Sequence, residues 1–515
     1  MIHRLKSWQI TTIVFCAIII FYIATILRYP EPWYDEPLYM SRAWSTLHPG
    51  QVSDLWAAGS FDRFEGYWTI FSWIVNGVLM AGMAVAGSPS LLVSRLVILL
   101  WGLGLLAAVY WIGKKLGGYP LAIGGVIMVA LSRAFLISAH MVRPDILGAA
   151  FGYSAIAFYL YHRSRWWISA LAGLMGVLAF EVHGNGAFFI PVLLLLFLID
   201  YGWKLYKERS FWYFCLGGLF GSCIYLILHV LLYPETYRAI MLSVYAKAYQ
   251  PPILTMNLLE LWKGFAYYGQ FMLTRYVILL PVVILALWKL VRKGSKIEVT
   301  FFTLVMGVLI GYACWVRWKF VLYEIYFVPS LQILLASYLI DFIKLPKVSN
   351  LGRRIAFVFI WTAYISISLV NIAPAVLGNG YSVYQQLQQQ VNKSIHPGDT
   401  ILANNIYWLG LSDHRYYSID QISFDRWFDP TDTLANDLDR LQPDIFILDD
   451  QTRLWITDNP NGWEYGGYIY IPQTDLENYL AKNATVVDKF ISPHGWIQIY
   501  RIHWENRSSS ITPAD

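Results

Sequence analysis

Charged side chains are scarce in this sequence: Asp, Glu, Lys and Arg make up 14% of its 515 residues, whereas soluble domains carry about 25%. Hydrophobic residues make up 57%, and apolar runs of about 20 residues recur between residues 8 and 378. These features exclude a soluble globular protein and predict a polytopic α-helical membrane protein. The net charge of +5 is modest and lies mainly in short loops, so we expect no nucleic-acid partner.

Cysteine is also scarce. The four cysteines all lie in apolar segments and none belongs to a Cys-x-x-Cys pair, so we expect neither a disulfide scaffold nor a thiolate metal site. The sequence has no nucleotide-binding loop, no visible internal repeat, and no matched pair of broken spans such as many transporters have. Because the N-terminal run is not followed by a convincing cleavage site, we expect it to remain as a membrane anchor.

Hydropathy and loop charge together predict about eleven transmembrane helices. With the N-terminus in the cytoplasm, the Lys and Arg residues of the short loops fall on the cytoplasmic side, as the positive-inside rule requires. A crossing by the apolar stretch 67–86 would reverse this pattern, so we interpret it as an interfacial helix within an external loop of residues 28–90. The predicted spans are 8–27, 91–112, 119–139, 146–161, 167–181, 186–201, 211–232, 272–291, 299–316, 321–342 and 355–377.

The composition becomes polar near residue 379, which divides the chain into a membrane domain (1–378) and a small C-terminal domain (379–515). Turn-forming Asp, Asn and Pro-Gly residues separate several short β-like runs, as in a small α/β domain. The topology places this domain outside the cytoplasm. The runs are TILAN, DIFILDD, GYIYIP and WIQIYRI.

Unusual polar residues gather at the external ends of the predicted spans. Ionisable groups beside spans are costly to place, so they usually line a cavity or pair with one another. Their position on one membrane face predicts a site that opens outward at the bilayer surface. The candidates are Asp35, Glu36, Arg63, Glu65, Arg143, Asp145, His183, Asn185, Arg317, Lys319 and Tyr323.

Each group of candidates also has a purely structural interpretation. The acidic pair 35–36, flanked by aromatics, suits a solvated loop at the membrane interface. The Arg-Pro-Asp turn 143–145 suits a local ion pair that caps a span. The His-Gly-Asn turn 183–185 suits side chains that satisfy backbone groups. The cations at 317 and 319 suit anchors that extend to the membrane surface.

Carboxylates and cations on one membrane face suit sugar transfer from a lipid phosphate. A carboxylate can act as a general base, and cations can stabilise an anionic leaving group. Arginine makes bidentate contacts with phosphate, and the apolar surface of 67–86 could hold a prenyl tail. The reaction then requires only that an acceptor hydroxyl be deprotonated and aligned with the anomeric carbon.

Several motifs follow one another along the membrane domain. They are, in order, WYDEPLYMSRAW, FEGYWTIFSWIVNGVLMAGMAVAGSPSLLVSRL, ISAHMVRPDILGAAF, EVHGNG and RWKFVLYEIYFVPSLQILLA. Their order resembles that of the GT-C glycosyltransferases, which use lipid-phosphate sugars, and within them the branch of protein O-mannosyltransferases and aminoarabinose transferases. The resemblance covers about residues 8–345.

The resemblance implies a role for several candidates. Asp35 would be the catalytic carboxylate that activates the acceptor, and Glu36 would orient the acceptor or Asp35. Arg63 stands where many relatives have a Lys that contacts the lipid phosphate, although Phe64-Glu65-Gly66 replaces their Pro-Pro. The other candidates fall in substrate-binding regions. The resemblance implies no metal cofactor, although Asp35, Glu36 and Asp145 could supply oxygen ligands to a divalent ion.

We therefore predict an inverting membrane glycosyltransferase, hexosyl- or pentosyl-transferring, in a plasma (inner) membrane of bacterial type. It would move a sugar from a polyprenyl-phosphate donor to a hydroxyl of a lipid, glycan or protein acceptor on the extracytoplasmic face. Its expected partners are the donor, the acceptor and membrane lipids. Two alternatives remain: a transporter or flippase of a lipid-linked or anionic solute, which would hold the head group with the same cations, and a structural subunit without catalysis.

Overall fold

The computed structural model describes most of the chain, as a helical bundle followed by a domain built on a β-sheet. The described residues are 6–161, 165–245, 258–271, 280–316, 319–344, 351–419, 433–455, 473–492 and 495–504. The helices that precede the sheet are α1 (Ser7–Thr25), α2 (Asp35–Leu47), α3 (Trp73–Ala86), α4 (Leu91–Ala130), α5 (Arg133–Ala139), α6 (Asp145–Tyr161), α7 (Trp166–Val182), α8 (Phe189–Tyr201), α9 (Arg209–Tyr225), α10 (Pro234–Tyr237), α11 (Leu258–Phe271), α12 (Leu280–Lys293), α13 (Lys296–Trp315), α14 (Val328–Lys344), α15 (Leu351–Leu377) and α16 (Gly380–Asn392).

Short 3-10 and π-helical segments occur between these helices or follow them. The 3-10 segments are Phe61–Arg63, Tyr67–Ile70, Gly184–Phe188, Gly202–Lys207, Val321–Tyr326 and Asn405–Gly410. The π-helical segments are Leu226–Leu231 and Arg238–Tyr245.

Several helices of the described part can cross a membrane, which confirms the predicted multi-pass α-helical class. Shorter apolar helices, α6 and α7 among them, accompany them. The number of spans stays a prediction, and the first part of the span predicted at 272–291 lies outside the described residues. The helical segments long and apolar enough to cross are Ser7–Thr25, Leu91–Ala130, Gly184–Lys207, Arg209–Leu231, Lys296–Trp315 and Val358–Asn392.

Helix α4 contains most of two predicted spans. It is 40 residues long, but Gly118 has a non-helical backbone with φ of 77°, and Pro120 follows it. Proline has no N–H to donate and its ring clashes with the preceding turn, so the helix breaks at this point. The break separates the predicted spans 91–112 and 119–139, and the second of these continues into α5.

Helix α6 lies in the centre of the bundle, with α4, α7 and α8 packed around it. Its side chains are apolar on all sides and nearly all are buried, as expected for a helix enclosed by other helices. Because Asp145 is the first residue of α6, the core of the bundle determines where this carboxylate lies.

Glycines allow α7 and α9 to approach at backbone distance. A Cβ atom at Gly173 of α7 would overlap the backbone at Phe214 of α9, and one at Gly217 of α9 would overlap Ala170 of α7. Small residues at helix contacts permit such close packing in membranes. The contact holds α7, whose C-terminal end leads directly into His183.

Within the apolar stretch 67–86, the short helix α3 follows the 3-10 segment Tyr67–Ile70 and covers only Trp73–Ala86. Its 14 residues span about 21 Å at 1.5 Å per residue, whereas the hydrocarbon layer is about 30 Å thick. Glu181 holds the start of α3: one carboxylate oxygen accepts from the Trp73 N–H at 2.7 Å and the other from the Ser72 hydroxyl at 3.0 Å. Its length and this attachment favour the interfacial interpretation.

A cysteine introduced at the exposed Ser88, just after α3, tests this topology in a variant without the four native cysteines. We expect a membrane-impermeant thiol reagent to label Ser88→Cys in intact cells, because the loop is external if α3 does not cross. A matched Lys204→Cys variant, between α8 and α9, should label only after the membrane is made permeable. Labelling of Ser88→Cys only from the inside would make α3 a full crossing.

The C-terminal domain contains a mixed five-stranded sheet in the order β2-β1-β3-β5-β4. β1 pairs in parallel with β2 and β3, whereas β5 is antiparallel to β3 and β4. Helices flank the strands, which confirms the predicted small α/β domain. The elements are β1 (Ile401–Ala403), β2 (Tyr416–Ser418), α17 (Leu434–Leu441), β3 (Ile445–Asp449), α18 (Asp450–Trp455), α19 (Gln473–Asn483), β4 (Ala484–Ser492) and β5 (Gly495–Ile502).

The sequence located three of these strands. TILAN and DIFILDD contain β1 and β3, WIQIYRI contains all of β5 except Gly495, and GYIYIP lies outside the described residues. β2 and β4 were not predicted: β2 is a three-residue strand at one edge of the sheet, and all nine side chains of β4, at the other edge, are at least partly exposed. The exact domain boundary stays a prediction.

The sheet domain contacts the loop that connects α1 to α4. The Ser53 hydroxyl accepts from the Tyr416 N–H at 3.0 Å, and the Arg440 guanidinium donates to the Gly59 carbonyl at 2.9 Å. These bonds place the sheet domain on the side of the bundle that carries α2.

Candidate active site

The acidic pair begins helix α2 rather than lying in a loop. Asp35 and Glu36 occupy its first turn, where unpaired backbone N–H groups give the helix a positive end that favours carboxylates. Pro37 fits the same turn because its missing N–H would have no partner there. The interpretation of this pair as a solvated loop is therefore wrong.

Asp35, Arg143 and Asp145 form one ion-pair cluster. The Arg143 Nη1 group pairs with Asp35 Oδ2, and its Nε–H donates to Asp145 Oδ2 at 2.8 Å. The side chains of Asp35, Arg143 and Asp145 are 16%, 8% and 2% exposed, so an external molecule reaches Asp35 most easily. The local pair predicted at the 143–145 turn is present, and the structure joins Asp35 to it.

Arg143 is held as a permanent cation. Burial opposes the charge of its guanidinium, but the acidic groups around it, Asp145 foremost, together raise the pKa of Arg143 above its ordinary value. The cluster thus places one charge-stabilised arginine between two acidic side chains.

His183 adjoins this cluster as a neutral side chain. Its Nδ1 atom accepts from the Asn185 N–H at 3.2 Å, so the ring proton is on Nε2, which lies 3.8 Å from Asp145 Oδ1. Burial lowers the pKa of His183 and the Arg143 charge adds to this effect, although Asp145 opposes it. The ring centroid of Tyr323 is 5.5 Å away. His183 and Asn185 therefore form the backbone-satisfying turn that the sequence suggested, beside the acidic cluster.

Glu36 is enclosed, unlike Asp35. Arg95 Nε–H donates to its Oε1 atom at 2.9 Å and Arg95 Nη2–H to its Oε2 atom at 2.7 Å, and both side chains are 0% exposed. The backbone N–H groups of Trp33 and Val142 donate to the same carboxylate at 2.9 and 2.8 Å. Glu36 therefore has no surface on which to contact an acceptor, although it lies beside Asp35 as predicted.

Sequence reasoning missed Arg95. It lies within an apolar run that was predicted as a transmembrane helix. A charged side chain in such a run is costly and generally has a buried partner, so its presence was itself a signal. The sequence alone did not identify Glu36 as that partner.

The described contacts of Arg63 and Glu65 are with residues outside the Asp35–Arg143–Asp145 cluster. Both side chains are exposed. The Arg63 guanidinium lies over the Phe64 ring at 5.4 Å, and the Glu65 backbone carbonyl accepts from the Thr236 hydroxyl at 2.5 Å. None of these described contacts is with Asp35.

Lys319 has a structural role at the end of a helix. Its ammonium donates to the Ala313 carbonyl at 3.0 Å and the Tyr312 carbonyl at 3.2 Å, and also to that of Val316, which together cap α13. Burial lowers the pKa of Lys319 to about 8. This agrees with a structural interpretation of Lys319, and Arg317 lies outside the described residues.

Carboxylates in the described part of the chain do not gather into a metal site. No group of three or more His, Cys, Asp or Glu side chains converges there, and the Arg143 guanidinium lies between Asp35 and Asp145. The absence of a metal cofactor stays a prediction, because only the family resemblance supports it.

The chain was compared with known proteins by sequence and by structure. No protein-family model matches it, and no curated protein does so. Its structure matches ArnT from Cupriavidus metallidurans bound to undecaprenyl phosphate with a TM-score of 0.63 and 13% identity, over 96% of this chain and 98% of that one. The apo state of the same ArnT gives a TM-score of 0.65 at 13% identity and the same coverage.

A second match is the archaeal oligosaccharyltransferase AglB from Archaeoglobus fulgidus, in complex with an inhibitory peptide and a dolichol-phosphate. The TM-score is 0.52 at 11% identity, over 97% of this chain and 75% of that one. At such low identity the agreement establishes the fold alone. Over almost its whole length, the chain therefore has the fold of ArnT, which confirms the fold that the motif order predicts.

Proposed function

We propose that the protein is a membrane glycosyltransferase that uses a polyprenyl-phosphate sugar as donor. The acceptor would be a hydroxyl of a lipid, glycan or protein on the extracytoplasmic face of the inner membrane. The observation that carries the proposal is the Asp35–Arg143–Asp145 cluster, in which Asp35 is the most exposed member. It occurs in a fold shared with an ArnT that binds undecaprenyl phosphate.

Asp35 acts as the general base in this proposal. Its carboxylate accepts the proton of the acceptor hydroxyl while the acceptor oxygen attacks the anomeric carbon. The bond from that carbon to the phosphate oxygen breaks, and the lipid phosphate leaves with the bonding electrons. Attack opposite the leaving group inverts the anomeric carbon. Arg143 pairs with Asp35 and fixes its orientation.

The donor phosphate requires positive charge or neutral hydrogen-bond donors near the reacting carbon. The exposed Arg63 is our candidate for a bidentate contact with it. The Nε2–H of the neutral His183 is a second donor near the cluster. Asn185, Tyr323 and Glu65 would line the substrate side, whereas Lys319 is occupied by helix carbonyls.

Arg63→Ala tests the phosphate contact. We expect the KM for the donor to rise about 10- to 100-fold, because a charge-assisted hydrogen bond of roughly 1.5–3 kcal/mol is lost. Thermal stability should not change, since the side chain is exposed. The control is Lys393→Ala, which removes an exposed cation directly after the end of α16. A donor KM equal to that of the control would remove Arg63 from the phosphate site.

The sheet domain is proposed to shape access for the acceptor. A cavity of about 480 Å³ lies between it and the loop connecting α1 to α4. Polar and aromatic side chains line this cavity, including Asp62, Tyr67, Arg415 and Tyr417. Such groups can hydrogen-bond and stack on sugars or peptides.

The deciding experiment incubates the purified protein in lipid nanodiscs with radiolabelled polyprenyl-phosphate sugars and extracted cell-envelope acceptors. Transfer of label from donor to acceptor would support the proposal. Reconstituted vesicles test the transport alternative, through movement of an intact fluorescent lipid-linked sugar between leaflets. Movement without transfer of the sugar would overturn the glycosyltransferase assignment.

A further inference from the structure

We propose that Arg95 is a positioning residue, which through Glu36 holds the two backbone segments that bring Asp35 and Arg143 together. The proposal rests on the proposed function, in which Asp35 is the base. Neither Arg95 nor Glu36 touches substrate in it. Their effect on turnover is transmitted through the backbone on either side of the cluster.

The Arg95–Glu36 pair is fully enclosed and fully bonded. The guanidinium meets the carboxylate through two parallel N–H···O bonds of 2.9 and 2.7 Å. The remaining Arg95 Nη1 group donates to the Ile26 carbonyl at 2.8 Å and the Pro30 carbonyl at 3.1 Å. Arg95 thus connects α4 to the segment between α1 and α2 and orients the Glu36 carboxylate.

The carboxylate in turn joins the two sides of the cluster. Glu36 directly follows Asp35, and Val142, whose N–H donates to Glu36 Oε1 at 2.8 Å, directly precedes Arg143. The Trp33 N–H donates to Glu36 Oε2 at 2.9 Å, which holds the chain just before α2. One buried carboxylate therefore binds the backbone beside both members of the Asp35–Arg143 pair. A shift of Glu36 would move the two side chains relative to each other.

A purely stabilising role explains this arrangement less well. Removing two charges from water costs several kcal/mol each, and well-packed apolar residues are often as stable as a buried ion pair. The planar guanidinium instead provides direction, because it bonds both carboxylate oxygens at once. Misplacement of a catalytic group by 1 Å can reduce turnover about 100-fold, which makes such direction valuable to a base.

The test compares two Arg-to-Lys variants in buried ion pairs of similar exposure. Arg95→Lys keeps the charge but cannot bond both Glu36 oxygens and both carbonyls. Arg42→Lys is the control: Arg42 pairs with Asp54 at 2.9 Å, and the side chains are 7% and 5% exposed. We expect Arg95→Lys to lower kcat about 100-fold while KM for donor and acceptor stays within about threefold. The control should lose comparable thermal stability and keep kcat within about threefold of the unmodified protein.

Hydrogen exchange provides a readout that does not depend on activity. In Arg95→Lys the amides of Trp33 and Val142 should exchange faster, since both donate to the Glu36 carboxylate. Glu36→Gln should accelerate the same amides, and Arg42→Lys should not. If Arg95→Lys does not fold, Glu36→Gln carries the kinetic comparison.

Equal kcat values for Arg95→Lys and Arg42→Lys, or unchanged exchange at Trp33 and Val142, would overturn the positioning role. An unmodified protein that transfers no sugar would instead overturn the proposed function. In that event the exchange rates alone decide whether Arg95 holds the two segments together.

Discussion

Asp35→Asn should abolish sugar transfer, with kcat lowered at least about 1000-fold, as expected when a general base is removed. Asparagine has almost the shape of aspartate but cannot take the proton of the acceptor hydroxyl. The side chain is partly exposed in the ion-pair cluster, so the variant should still fold and insert into the membrane. The measurement is the transfer of radiolabelled sugar by purified protein at saturating donor and acceptor.

The control for Asp35→Asn is Glu31→Gln, which neutralises an exposed carboxylate four residues earlier, just before α2. It should retain turnover within about threefold, since surface substitutions usually have small effects. Both variants should elute as monodisperse particles with similar melting temperatures. An Asp35→Asn protein as active as Glu31→Gln would remove Asp35 from the role of base.

Arg143→Gln should reduce both activity and stability. Loss of the cation leaves Asp145 buried without its charge partner, which costs about 3 kcal/mol of unfolding free energy. Asp35 also loses the cation that fixes its orientation. We expect kcat near neutral pH to fall about 100-fold, the scale on which removal of an electrostatic partner acts.

A double variant separates these two effects. Arg143→Gln/Asp145→Asn removes the unpaired buried charge, so most of the lost thermal stability should return. Turnover should stay low, because Asp35 still lacks its cationic partner. A double variant whose activity returns together with its stability would show that Arg143 contributes to folding only.

The sequence identified the principal residues of the candidate site. Asp35, Arg143, Asp145 and His183 were all among the candidates, and the structure brings them together. Loop charge grouped them on one membrane face, because the positive-inside rule acts on composition rather than on contacts. The same rule could not say which of them meet. The rule also grouped Arg63 and Lys319 with them, but the described contacts of these two cations are with residues outside the cluster.

Partner choice among buried charges was beyond the sequence. Arg95 is distant from Glu36 along the chain, and no local pattern pairs an arginine inside a span with a carboxylate in a preceding loop. The pairing depends on the tertiary packing that brings Arg95 of α4 to the first turn of α2. The weaker strands were missed for a related reason: β2 is very short and β4 lies at a sheet edge, so neighbouring strands define them more than their own residues do.

Composition and residue order alone predict a multi-pass helical membrane protein with a small C-terminal α/β domain. Hydropathy and alternation are properties of consecutive residues, so they can be read without knowledge of the fold. The burial of Glu36 against Arg95, and the access to its neighbour Asp35 beside Arg143, follow from the three-dimensional packing. Adjacent residues at a helix start point in different directions, and long-range packing sets which direction is the core.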